Sequence, residues 1–521
     1  MTCVDRVPEA PAAAALAGLW QLAALPPEAL AHADVSGRQP VLPSSFDVAT
    51  AAQASLGAAA LAAAELWRLR TGQRQQLRLD RAHAAMECTG YFALDGRVPE
   101  LWDKLSGLYP CASVAGVPGF VRIHANFAHH RDRALQLLGL PPGPDTSRAQ
   151  VSEALRTWPA EAFEQAAADA GAVVAAGRSF AQWDAHPQGL ALAGQPVLQI
   201  LPIAGAPPAP PPAWPTINTA QRPLNGLRVL DLTRILAGPV AARCLAAYGA
   251  DVLMVNGPHL PNIGAIADMS RGKRSALIDL REASGRAQLD DLVACADVFL
   301  QGYRPGALAG RGYSAAALAA RRPGIVVAAL SAYGTRGPWA GRRGFDSLVQ
   351  TATGFNLAEG EAAAAAATAG AATGAATGAA TGAITGAIAG ATAAGPAAPR
   401  ALPMQILDYA AGHLLAFGIQ AALWRRATQG GSWQVQVSLA GVGQWLRSLG
   451  RVAGGLAAQR PELEPLLYDS PCGFGVGGPT QVATLRAVRH AAGFSATPAH
   501  WSLPSMPPGS HPPQWSNTRA D

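Results

Sequence analysis

Gly226-Leu227-Arg228-Val229-Leu230-Asp231-Leu232, then Ala237-Gly238-Pro239, Val240 to Tyr248, Gly249 and Asp251 to Val255, decide the fold of this 521-residue chain. The first run is short, apolar and preceded by a turn signal, which predicts a buried parallel strand. Small residues lead into an amphipathic helix that Gly249 can cap, and a second strand follows at once. Strand, small turn, helix, glycine, strand is a βαβ unit, whose ligand edge lies at the carboxyl ends of the strands. Two more strands, Val298 to Leu300 and Gly324 to Leu330, each preceded by a helical stretch, fit the same sheet. The expected class is α/β: a Rossmann-like parallel-sheet domain without a GxGxxG, and a second, smaller α+β domain.

That smaller domain is expected between Tyr109 and Gln188, where Gly119 to His124 reads as a strand. Helices at His130 to Leu138, Ser147 to Leu155 and Ala160 to Ala170 follow, then a short apolar piece, Ala172 to Ala176. An internal repeat flanks it. Phe46-Asp47-Val48-Ala49, Gly57, an Ala-rich helix to Arg70 and Gln75 to Leu79 parallel Leu407-Asp408-Tyr409-Ala410, Gly418, a helix to Arg426 and Gln434 to Val437. In both copies the Asp stands ten residues before the Gly, on the first turn of a helix that feeds a strand. The organisation expected is a repeat segment over 1–95, a small domain over 96–205 and a Pro-rich linker over 206–224. The Rossmann-like domain then covers 225–447, with an insert at 358–398, and an extension of little periodicity covers 448–521. The insert carries Gly at 370, 374, 378, 382, 386 and 390 with Ala and Thr between. It is too weakly apolar to enter a membrane and reads as a flexible surface loop.

Half the residues are apolar and 14% charged, which describes a globular chain with a sizeable core. The net charge of +6 comes from scattered arginines rather than a basic run with interleaved aromatics, which argues against a nucleic-acid partner. Six cysteines lie far apart with no CxxC, as expected of reduced thiols in the cytoplasm. Asp5 and Glu9 stand where an export signal needs positive charge. His124, His129, His130 and His413 match no common metal spacing.

Five strings carry a resemblance. They are Leu-Arg-Val-Leu-Asp-Leu-Thr-Arg-Ile-Leu-Ala-Gly-Pro (227–239), Arg-Gly-Lys-Arg-Ser-Ala (271–276), Gly-Tyr-Arg-Pro-Gly-Ala-Leu (302–308), Arg-Pro-Gly-Ile-Val (322–326) and Gly-Pro-Trp-Ala-Gly-Arg-Arg-Gly-Phe-Asp (337–346). In this order and spacing the chain resembles the family III CoA-transferases, the group of formyl-CoA and carnitine CoA-transferases and α-methylacyl-CoA racemase. The resemblance implies a CoA-binding domain and transfer of CoA from an acyl-CoA to a small carboxylic acid. CoA enters as substrate, and no prosthetic group, metal, membrane or nucleic acid is implied. The small domain normally follows the Rossmann-like half, whereas here it precedes it, so the chain reads as a permuted or fused unit. The family forms interlocked dimers, and this chain would be either a homodimer or a fused pseudo-dimer.

A buried carboxylate can exchange CoA by covalent catalysis. Asp408 matches the family's nucleophilic Asp, near a helix N-terminus whose free N–H groups could hold it and developing oxyanions. An ordinary N-cap is the alternative for Asp408. Asp47 has no Rossmann-like half before it and reads as a relic or cap. By the same resemblance, CoA contacts would come from Arg234, Ile235, Leu236 and Ala237, from Arg271, Gly272 and Lys273, from Gly302, Tyr303 and Arg304, and from Ser331, Ala332 and Tyr333. Gln301-Gly302, Asn256 and Gly310 depart from the family pattern. Phe345 stands where the racemase branch has an acid/base His, which sets racemisation below transfer. A catalytically degenerate member that binds CoA esters or pairs with another subunit is the remaining alternative.

Overall fold

Alternation along the central strands shows why they lie between two helical layers. Val229, Val252, Val298, Leu300, Val326 and Ala328 pack into one core, and Leu230, Leu232, Leu253, Val255, Phe299 and Val327 into another. Strands buried on both faces are the mark of a parallel sheet. In the computed structural model, which describes residues 11–212, 217–218, 221–372, 397–475 and 482–516, seven strands form this sheet. Their order is Arg274–Leu277, Asp251–Asn256, Arg228–Leu232, Val298–Gln301, Val326–Ser331, Trp433–Ser438 and Leu198–Pro202. All neighbours run parallel except the last, which pairs antiparallel with Trp433–Ser438. Strand order reverses between Arg228–Leu232 and Val298–Gln301, and the crevice expected of such a switch lies beyond their carboxyl ends.

The repeat is visible in three dimensions. Ala33–Ser36, helix Val48–Thr71 and strand Leu77–Asp80 form a unit whose strands pair parallel. Val326–Ser331, helix Ile406–Gln429 and Trp433–Ser438 do the same. The two long helices are buried and pack on each other, and Gln420 Nε2 donates to the carbonyl of Ala59 at 2.9 Å. Helix Ile406–Gln429 is long and apolar enough to cross a membrane, but its most apolar stretch is wholly buried inside the structure.

Gly418 lets this helix lie close to the sheet: a Cβ there would stand 2.6 Å from Val435 Cγ1 and 2.7 Å from Leu198 Cδ1. Gly418→Ala is therefore expected to cost about 1–3 kcal/mol by overpacking. A lowered urea midpoint at constant m would show it, and an unchanged midpoint would mean the helix can lift without penalty.

Strands Gly107–Val114, Val117–Ile123 and Val174–Ala176 form the small domain's antiparallel sheet. Strand Leu198–Pro202, placed with this domain on sequence, instead extends the central sheet. The extension after 448 contributes strands to two further sheets. Leu467–Cys472 and Ala483–Val488 pair with each other, and Ala483–Val488 pairs with Phe92–Leu94, while Gly493–Phe494 pairs with Leu77–Asp80. Helix Phe355–Ala372 carries the chain into the Ala/Thr/Gly insert, whose remainder, 373–396, lies outside the described residues.

Candidate active site

Helix Ile406–Gln429 has no cap of its own, since the Gln405 side chain makes no capping hydrogen bond. Asp346, first residue of helix Asp346–Ala352, supplies one from across the cleft. Its Oδ2 accepts the Asp408 N–H at 2.9 Å, and the Leu407 N–H also bonds to it. Gln350 donates to Asp346 Oδ1 and accepts the Leu402 N–H at 3.1 Å, which ties the two segments together. The helix's N–H groups, expected to serve Asp408, are engaged elsewhere: Asp346 occupies two of them. Asp408 is not the N-cap either. Among the described residues nothing is hydrogen-bonded to its carboxylate, although the residue is only 7% exposed.

Two buried carboxyls this close cannot both ionise cheaply. Burial, then the Asp346 charge, pushes Asp408 well above the usual carboxylate range. Burial pushes Asp346 up to about 7, opposed by the Asp408 N–H, Gln350, the Leu407 N–H and the Arg122 charge. The pair titrates as a unit. Asp346, with its three donors, is the member that keeps the negative charge, and Asp408 holds its proton more tightly.

The two loops at the switch point lie against each other, with a Cβ on Gly302 standing 3.7 Å from Thr233. Ile235 has φ of +76°, a conformation costly for a β-branched residue and the kind of strain that collects at functional turns. Leu236 N-caps helix Ala237–Ala247, and the Ala237 carbonyl touches Gly412, one turn beyond Asp408. The Arg234 guanidinium lies 5.8 Å from the centre of the Phe127 ring, itself 6.2 Å from Phe345, the residue before Asp346. The structure thus brings 234–237 close to the carboxylate pair, and 302 against Thr233 at the start of that loop. Tyr303 is half-buried against the core, and Arg304 is exposed and lines a cavity of about 330 Å³ with Arg342, Arg343, Trp339, Asp169 and Val173.

The 271–273 turn is placed differently. Arg271 is ion-paired with Asp268 at 2.5 Å, donates to the Val488 carbonyl and stacks 3.9 Å from the Trp501 ring centre. Gly272 fits under Trp501 with φ of +74°. Lys273 is fully buried, bonded to Asp231 Oδ2 and to the Pro239 carbonyl at 3.0 Å each. These charges are engaged inside the protein, beneath the crevice rather than in it. Ser331, Ala332 and Tyr333 are likewise drawn into packing: Ser331 Oγ accepts the Gly334 N–H, the Ala332 carbonyl accepts the Ala440 N–H, and the Tyr333 carbonyl accepts from Gln188.

Other cations take the open positions. Arg133, Arg234, Arg304 and Arg343 have no acidic ion-pair partner among the described residues. His129 and His130 lie among them. Burial, then mutual repulsion and the charges of Arg343, Arg133 and Arg234, pushes His130 down to about 3, so it is neutral. Arg133, Arg343 and Asp346 were not among the site residues read from the sequence. The Gly-x-Asp run at 344–346 was the available signal for Asp346; nothing local marks Arg133, which lies in the small domain.

Asp47, the counterpart of Asp408, is a cap. Its Oδ1 accepts the Thr50 N–H at 3.0 Å, and Gln39 donates to Oδ2. Buried Arg81 adds a neutralising charge nearby. His413 sits buried and neutral beside Cys88 and Glu87. Among the described residues no three His, Cys, Asp or Glu are grouped to hold a metal.

A parallel sheet with a crevice at its switch point, an unpartnered carboxyl on a helix start and a cationic rim make up the candidate site. The chain belongs to family III of the CoA-transferases, whose profile matches residues 224–395, a segment that ends before Asp408. It is 32% identical over 311 residues to a probable fatty acyl-CoA transferase from Mycobacterium tuberculosis, covering 55% of this chain and 68% of that one. It is 33% identical over 170 residues to the alpha subunit of a succinyl-CoA–L-malate CoA-transferase from Chloroflexus aurantiacus, covering 30% of this chain and 40% of the relative. A solved structure of a hypothetical protein from M. tuberculosis is 32% identical over 44% of this chain and 58% of its own, with a TM-score of 0.33. This chain therefore spans between two fifths and two thirds of these relatives' length.

Proposed function

We propose that the chain transfers CoA from an acyl-CoA to a free carboxylate through a covalent thioester on Asp408. The observation that carries this reading is the Asp408 carboxyl itself: buried, unpartnered and held beside the switch-point loops. Ionised Asp408 attacks the thioester carbonyl, the carbon–sulfur bond breaks, and an acyl–aspartyl anhydride and CoA thiolate form. The thiolate attacks the aspartyl carbonyl, releases the acyl group as a carboxylate and leaves an aspartyl-CoA thioester. The acceptor carboxylate attacks that thioester, and the returning thiolate takes its acyl group, which restores Asp408. No prosthetic group enters these steps. Excluding water from the buried aspartyl anhydride and thioester keeps them from hydrolysis.

The test is mass spectrometry after incubation with acyl-CoA and hydroxylamine, which converts an activated aspartyl carbonyl to a hydroxamate. A label on the peptide that holds Asp408 supports transfer. CoA binding without any label would instead identify a degenerate CoA-ester-binding member.

Arg234, Arg304, Arg343 and Arg133 are proposed to face the phosphates of CoA, since guanidinium groups without protein anions suit phosphate oxygens. Arg343→Ser is expected to weaken CoA binding roughly 3- to 10-fold at ~0.1 M salt and to flatten its salt dependence. Calorimetry at two ionic strengths measures both, and identical curves would remove Arg343 from the site.

A further inference from the structure

Strand Val117–Ile123 turns Val121 and Ile123 into the small domain's core. Arg122, and His124 just past the strand's end, take the opposite face, toward the helix that starts at Asp346. The His124 ring stacks on Phe345 at 3.9 Å between centres, and Arg122 lies 5.7 Å from the Trp102 ring centre. Arg122 is 9% exposed, its Nε is out of solvent without an acceptor, and it has no ion-pair or hydrogen-bond partner among the described residues. The Asp346 charge acts on it without forming an ion pair. Burial pushes the guanidinium down to about 10, which leaves it cationic at neutral pH. His124 Nδ1 and His130 Nδ1 are also buried without partners. A fixed buried cation flanked by unsatisfied polar atoms, next to a carboxylate pair, is a site that a ligand completes.

We propose that Arg122 anchors a second carboxylate of the acid substrate, remote from the reacting one, so that this enzyme takes dicarboxylic acids. The inference rests on the transfer reading above. The reacting carboxylate loses its charge whenever it becomes an anhydride or thioester, and would leave Arg122 unpaired through those stages. A remote carboxylate stays ionised through every step and matches a permanent cation. A monocarboxylic acid of equal length would lay an apolar tail against a buried guanidinium, a mismatch that specificity built on buried polar groups punishes heavily.

The experiment compares kcat/KM for glutarate and valerate as acceptors with acetyl-CoA as donor, in wild type, Arg122→Met and Arg122→Lys. Binding of radiolabelled glutarate by equilibrium dialysis is measured alongside. Wild type is expected to prefer glutarate by roughly 100-fold or more, with the preference falling about 100-fold in Arg122→Met and partly kept in Arg122→Lys. No preference in wild type, or an undiminished one in Arg122→Met, overturns the assignment. If no acyl-CoA labels Asp408 but glutarate binds wild type and not Arg122→Met, the anchor stands and the transfer reading falls. Glutarate binding that is absent, or equal in both proteins, overturns the anchor.

Discussion

Asp408→Ala is expected to lower CoA transfer by roughly four orders of magnitude and to abolish hydroxylamine trapping on its peptide. The size follows from the chemistry: without the carboxyl no anhydride can form, and what is left is direct attack by a weak acceptor carboxylate on a thioester. Folding should survive, because the helix keeps its cap from Asp346, and the Asp408 N–H that bonds to it is a backbone group. CoA affinity is read separately, since the rim arginines are untouched. Trapping that persists in the variant on another peptide would move the nucleophile elsewhere. Transfer that persists without trapping would point to direct exchange.

Asp346→Asn should change the pH dependence more than the maximum rate. The Asp346 charge raises Asp408, so removing it lowers the Asp408 pKa and moves the pH profile of trapping toward acid by about one unit or more. The amide oxygen can still accept the Asp408 and Leu407 N–H groups, so the cap is kept. Stability shifts in the matching direction. Asp346 holds its proton more tightly folded than unfolded, so its contribution is fully present below about pH 4 and is lost as pH rises through about 7. Asp346→Asn escapes that loss and should gain about 1–3 kcal/mol over wild type at pH 8, with little gain at pH 4. Urea unfolding at both pH values measures it, and an equal difference at the two would show that the pair does not titrate this way.

The strand Arg228–Leu232, the helix after it and the strand Asp251–Asn256 were legible in sequence, because a sheet buried on both faces writes itself as short apolar runs between turn signals. The repeat was legible as well, down to Asp47 and Asp408, since its spacing is set by one helix feeding one strand. The turn at 271–273 shows the limit. Its string resembles a CoA contact, but whether Arg271 and Lys273 face solvent depends on Asp268, Asp231 and Trp501, and the last of these is more than two hundred residues away.

By itself, then, the chain's order of residues determined the parallel sheet, the duplicated helix unit and the Asp that stands at its start, because each is a matter of local periodicity and spacing. Only the tertiary structure decided that Asp408 holds its proton beside the charged Asp346, while the charge of Arg81 lies near Asp47. It alone decided, too, that Arg122 comes from another domain to face the pair. A carboxyl's ionisation and a cation's partner are set by burial and by neighbours through space, and those neighbours lie tens to hundreds of residues apart along the chain.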